Sequence, residues 1–131
     1  MNPLTLIPLL LVTLSTQASP TSDALLERYS KQGAGPFNAD TGRQLWLSKK
    51  PLSKDGSLRS CTDCHGSNLK QPGKHIRTGK IIAPMNPAAA TDRLTDHAKV
   101  EKWFMRNCKW TLGRECTAQE KGDLIMFIQQ P

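Results

Sequence analysis

Cys61, Cys64 and His65 stand in the run Cys61-Thr62-Asp63-Cys64-His65. On a single helical turn, positions i, i+3 and i+4 share one face. Two thiols on that face can bond to two vinyl groups along one edge of a porphyrin, while the imidazole beside them reaches the iron. The spacing Cys-x-x-Cys-His is read as the attachment site of a c-type haem for this reason. Two competing readings are weaker. A thioredoxin-like Cys-x-x-Cys needs a strand–helix setting, and none is apparent around Cys61. A structural zinc site needs a second close pair of ligands, and His75 and His97 stand too far off and alone. The run therefore points to one covalent haem c with His65 on its proximal side.

The group on the other side of the iron decides the function. Two strong axial ligands make an electron carrier, whereas a weak or absent one leaves room for O₂, NO or CO. Met85 lies in a proline-bounded loop, Ile82-Ala83-Pro84-Met85-Asn86-Pro87, at a short interval after His65. Met105 and Met126 read as packing residues. His75 or His97 would give bis-histidine ligation. Asn107 follows Val100, Trp103 and Phe104 at spacing 0, +3, +4, +7, the apolar face of a helix. An amide buried there must find a partner, and iron can be that partner. The other reading is an asparagine at a helix end that caps backbone carbonyls. An enzyme would further need distal donors, for which His75, Lys80 and Arg114 are available in composition only.

The elements that position these groups read as all-α. The segment Asp23–Ser30 begins a short helix that Gly33, Gly35 and Pro36 end. A second helix starts near Asn38 or Asp40, with Gly42, Leu45 and Trp46 on one face. Residues Pro51 to Ser60 form a loop, and Gly66 to Asp92 is irregular, punctuated by proline and glycine. So long an irregular stretch suits a compact domain only if it wraps a ligand. A third helix is expected from an N-cap at Thr95 or Asp96. Gly113 marks a turn inside a loop from Cys108 to Cys116. The last helix opens with Thr117-Ala-Gln-Glu120, a capping box, and buries Leu124, Ile125, Phe127 and Ile128. No strand pattern or internal repeat is visible. Trp46, Trp103, Trp110, Phe37, Phe104 and Phe127 are expected in the core or around the haem.

The chain has 131 residues, enough for one domain. Leu4–Leu14 is an apolar run interrupted by Pro8 and followed by Thr16-Gln17-Ala18, the pattern of a signal peptide cut after Ala18. The run is too short to span a bilayer. Residues 1–18 are thus expected to be a cleaved signal peptide and 19–131 the haem domain, exported with no membrane span after cleavage. Every charged side chain lies beyond Ala18, and the formal net charge is +7. Nucleic acid does not fit, because the basic residues are dispersed and the compartment is wrong. Acidic partners do fit, with Lys99, Lys102, Lys109 and Lys121 as docking candidates. Four cysteines in an exported chain suggest disulfides. With Cys61 and Cys64 assigned to haem, Cys108 and Cys116 are left to form one bridge.

Several stretches resemble the sphaeroides haem protein family. They are Gly73-Lys-His75-Ile-Arg-Thr78-Gly79-Lys80, Pro84-Met85 with Asn86-Pro87, Lys99 to Cys108 and Leu112 to Asp123. The likeness runs from about Phe37 to Ile128. It implies a class I cytochrome c-like fold in the bacterial periplasm, with an asparagine as distal ligand beside a disulfide-closed loop. That role falls on Asn107, with Cys108 and Cys116 as the bridge. The resemblance also implies that the asparagine leaves the iron on reduction, so that ferrous haem binds O₂, NO or CO. A dihaem cytochrome c and a membrane cytochrome b are the redox partners it implies. The alternatives are a simple electron carrier with Met85 on the iron, and an oxygen- or NO-converting oxidoreductase.

Overall fold

The computed structural model describes residues 18–51 and 56–131. The expected signal peptide lies almost wholly outside the described residues. Nine elements follow in chain order: α1 (Pro20–Lys31), α2 (Ala39–Leu47), β1 (Lys50–Pro51), β2 (Leu58–Arg59), α3 (Thr62–His65), β3 (Gly73–Lys74), β4 (Ile81–Ile82), α4 (His97–Leu112) and α5 (Ala118–Ile128). The architecture is helical, as expected. Its strands are two antiparallel two-residue pairings, Lys50↔Arg59 with Pro51↔Leu58 and Gly73↔Ile82 with Lys74↔Ile81. Pairings this short carry no alternating pattern, which is why no strand is visible in the sequence.

Each long helix starts on a side-chain cap. Ser19 and Ser22 form a capping box at α1, with Pro20 in the first turn, where its missing N–H costs nothing. Asn38 caps α2 and Asp96 caps α4, each accepting from a backbone N–H three residues on. At α5, Thr117 and Glu120 form the expected capping box.

The core sits between α1, α2 and α5, with Leu25, Tyr29, Trp46, Leu124, Ile125 and Ile128 buried. The α2–α5 crossing is the closest helix packing. A Cβ on Gly42 would sit 2.1 Å from the Asp123 carbonyl oxygen, so only glycine permits the approach. Asp123, buried on α5, accepts from the Asn38 backbone N–H at 2.7 Å and from the Gln119 amide at 3.0 Å. It thereby ties the start of α2 to α5.

One boundary differs from the sequence reading. Helix α4 does not end at Cys108 but runs through Leu112, and Gly113 closes it. Thr111 and Leu112 are buried, and that packing extends the helix beyond its obvious apolar repeat. The Sγ atoms of Cys108 and Cys116 lie 2.02 Å apart, at disulfide distance. The bridge therefore joins the last turns of α4 to the residue before the cap of α5.

Candidate haem site

A four-residue helix cannot hold itself together, so α3 depends on its neighbours. Cys61 leads into it in helical conformation, and the His65 N–H donates to the Cys61 carbonyl at 3.1 Å. Asp63, inside the Cys-x-x-Cys run, accepts from the Ser60 N–H at 2.9 Å and pairs with Lys49 at 3.4 Å. Its limited burial works to raise the carboxyl pKa, but the Ser60 and Lys49 contacts outweigh it and hold the value low. At the other end, the Trp46 indole N–H donates to the Gly66 carbonyl at 2.9 Å. Gly73 passes so near that a Cβ there would lie 2.1 Å from the Cys64 carbonyl oxygen.

Cys61, Cys64 and His65 all line one cavity of about 590 Å³, within the range of roughly 300–1,000 Å³ usual for small-molecule and cofactor sites. Its apolar walls include Leu45, Trp46, Val100, Phe104, Leu124 and Ile128. Both thiols are free and partly buried. Burial pushes the Cys61 thiol up to about 11, and it meets the Thr111 hydroxyl. Burial, and then the charge of Arg93, press the His65 imidazole down to about 4. The ring is therefore neutral at physiological pH, the form that binds metal, and its Nδ1 is buried without a hydrogen-bond partner. Two free thiols, a neutral imidazole and an apolar cavity of this size fit a covalent haem. Among the described residues no three His, Cys, Asp or Glu side chains gather as a metal cluster, which leaves the zinc reading without ligands.

Asn107 also lines the cavity. It stands inside α4, more than a turn before Gly113, so it is not the terminal capping residue that one sequence reading allowed. It is exposed rather than buried, because this face of α4 forms a cavity wall instead of a helix–helix contact. Thr111 lies one turn further on the same face and touches Cys61. Asn107 is thus held one turn of α4 from the Cys61 contact.

Met85 lines the same cavity, on a loop fixed by two hydrogen bonds from Met85 and Asn86 N–H to the Leu69 carbonyl, each 2.9 Å. Asn86, buried beside it, donates to the Ile128 carbonyl at 3.0 Å. His75 reaches the cavity too, but its Nδ1 accepts from the backbone N–H groups of Arg77 and Thr78. Lys80, Trp103 and Trp110 are further lining residues.

Other expected residues lie elsewhere. His97 opens α4 beside Arg28, Tyr29, Glu101 and Lys121, in a separate surface depression. Arg114 forms two 2.8 Å bonds with Glu120 at the head of α5 and does not line the cavity. Phe127 packs behind it, against Trp46. Sequence reasoning missed Thr111 and Arg93. Arg93 donates to the Pro84 and Ala83 carbonyls at 2.8 and 2.7 Å, stapling the Met85 loop beside His65. An isolated arginine in an irregular stretch carries no pattern that announces this.

Residues 32–128 match a family model described as a domain of unknown function, DUF1924. The cytochrome c-type protein SHP of Cereibacter sphaeroides is 45% identical over 85% of this chain and 85% of its own. The structure of oxidized SHP, an oxygen-binding cytochrome c, superposes with a TM-score of 0.75 at 43% identity, covering 82% of this chain and 94% of that one. The solution structure of cytochrome c'' from Methylophilus methylotrophus, solved with insight into haem-ligand detachment, gives a TM-score of 0.72 at 30% identity. It covers 84% of this chain and 93% of that one. On these likenesses the chain belongs to the sphaeroides haem protein family, helical c-type cytochromes with one covalent haem c.

Proposed function

We propose that this protein is a periplasmic electron-accepting cytochrome whose haem has one firm protein ligand and one that lets go. Cys61 and Cys64 hold the haem through thioether bonds, and His65 is its proximal ligand. Asn107 is the distal ligand in the ferric state. Bound there, haem c supplies a one-electron centre that takes up O₂, NO or CO when its distal position is free.

The observation that carries this reading is the position of Asn107 in the cavity wall, one turn from the Thr111–Cys61 contact. An amide oxygen is a hard, weak donor, better matched to ferric than to ferrous iron. Among the described residues no hydrogen bond restrains its amide, so the side chain is free to turn aside. The Cys108–Cys116 bridge keeps the backbone of α4 in place while it does so. Oxygen binding by SHP and haem-ligand detachment in cytochrome c'' support the same behaviour here. A dihaem cytochrome c or a membrane cytochrome b is the proposed redox partner, from the family likeness.

Met85 shares the cavity and is the alternative ligand. Ferric and ferrous absorption spectra, with and without CO, separate the two. Asn107→Ala should change the ferric spectrum while haem stays attached, and Met85→Ala should not. A far-red sulfur-to-iron band lost in Met85→Ala would instead give the distal position to methionine.

A further inference from the structure

Two groups of cations in this chain contrast. Lys31, Lys49, Lys99, Lys109, Arg114 and Lys121 each meet a carboxylate at 2.7–3.5 Å. Three of the lysines expected to dock a partner are thus already engaged within the molecule. Residues 66–91 contain Lys70, Lys74, Arg77 and Lys80 and no Asp or Glu. All four side chains are exposed, and among the described residues none has an ion-pair partner.

The same segment carries two large exposed apolar side chains, Ile76 at 57% and Ile81 at 66% exposure. Lys74 pairs with Ile81 across the β3–β4 ladder, so the two share one face. Gly73 and Ile82 take the other, where Gly73 meets the backbone of Cys64. The turn between the strands is pre-shaped. The His75 N–H donates to the Lys80 carbonyl at 2.8 Å, the Gly79 N–H to the His75 carbonyl at 2.9 Å, and His75 Nδ1 receives two further backbone N–H groups. Ile76, Arg77, Lys80, Ile81 and Ile82 also line the haem cavity, so side chains exposed on the hairpin stand at the rim of the cavity as well.

We infer that the hairpin Gly73–Ile82 is the docking surface for an acidic electron-transfer protein. Ile76 and Ile81 form its apolar centre and Lys74, Arg77 and Lys80 its basic rim, the usual anatomy of a transient interface. Unpaired surface cations steer an acidic partner, a rigid turn loses little freedom on docking, and the hairpin walls the cavity to which the electron must pass. This rests on the reading of the chain as an electron-accepting cytochrome.

The test is stopped-flow reduction of the ferric holoprotein by a reduced acidic flavodoxin across ionic strength. Reduced lumiflavin, a small neutral donor, is the control. K74E/R77E should slow reduction by flavodoxin about tenfold at low salt and flatten its salt dependence, and should slow lumiflavin far less. K31E/K109E changes net charge equally at paired sites and should slow flavodoxin far less. Equal losses in the two variants, or no loss in K74E/R77E, would overturn the docking surface and leave the electron-carrier reading intact. Failure of lumiflavin to reduce the wild type would sink that reading instead. Amide shifts on adding oxidised flavodoxin should cluster in residues 73–82, and clustering on α1 or α5 would also overturn the proposal.

Discussion

Trp46 meets the His65 segment twice. Its ring lies 5.4 Å from the imidazole at an interplanar angle of 44°, and its indole N–H holds the carbonyl of Gly66 at 2.9 Å. One side chain of α2 therefore sets both the flank and the end of α3. Trp46 is in turn packed edge-on to Phe127 of α5, with ring centroids 6.0 Å apart. The α2–α5 packing thus reaches His65 through a single indole.

Trp46→Phe keeps an aromatic ring but leaves the Gly66 carbonyl without its donor. The expected loss is about 2 kcal/mol, which lowers Tm by roughly 10 °C in a domain of this size. The ferric Soret band should also shift as His65 loses its flank. Thermal unfolding followed at the Soret band checks both, and an unchanged Tm would deny Trp46 this role.

Gly42 and Gly73 make close backbone approaches of the same kind with different consequences. Gly42→Ala forces α2 off α5 at Asp123 and should destabilise by about 3 kcal/mol, with the haem spectrum retained. Gly73→Ala presses on the Cys64 carbonyl and the His65 backbone. It should lower the yield of haem-loaded protein and alter the spectrum of what remains. Pyridine haemochrome yields and Tm, measured on both variants, should separate in these opposite senses.

Removing the bridge with the pair Cys108→Ser and Cys116→Ser should cost about 2.5 kcal/mol on the chain-entropy model. The ferric spectrum should respond as well, because Cys108 adjoins Asn107 on α4. A loss of stability with no spectral change would restrict the bridge to stapling. Denaturant titration beside absorption spectra reads both.

Glu101 links α4 to α1 and α5, accepting from the Tyr29 hydroxyl and from Lys121, each at 2.7 Å. Burial acts to raise its carboxyl pKa, and the bonds from Lys121 and Tyr29 outweigh it, so the folded value lies below the ordinary one. The stability this supplies is complete above the unfolded value, about 4.3. It is lost as pH falls through the lower folded value. Glu101→Gln should therefore flatten the fall of Tm below about pH 4.3. Parallel acid limbs in the two proteins would contradict the linkage.

The helix faces of α2 and α5 were legible because they obey the 3.6-residue period, and the Thr117–Glu120 cap because it is a local pair. The extension of α4 to Leu112 was not, since burial of Thr111 and Leu112 decides it and Gly113, which caps it, reads in the sequence equally well as a turn within a loop. The positions of His97 and Arg114 were equally hidden. A residue number carries no direction: His97 lines a separate depression, and Arg114 turns to Glu120 outside the cavity.

By itself the sequence determined that Cys61, Cys64 and His65 share a face, because the geometry of one helical turn is local and needs no partner. It also determined the family, through stretches long enough to be specific. Only the tertiary structure decided that Met85, Arg93, Asn107 and Thr111 meet around one cavity with His65. Those groups belong to segments far apart in the chain. They converge because α2 and α5 pack through Gly42 and Trp46, and because α4 turns its Asn107 face to the cavity instead of the core.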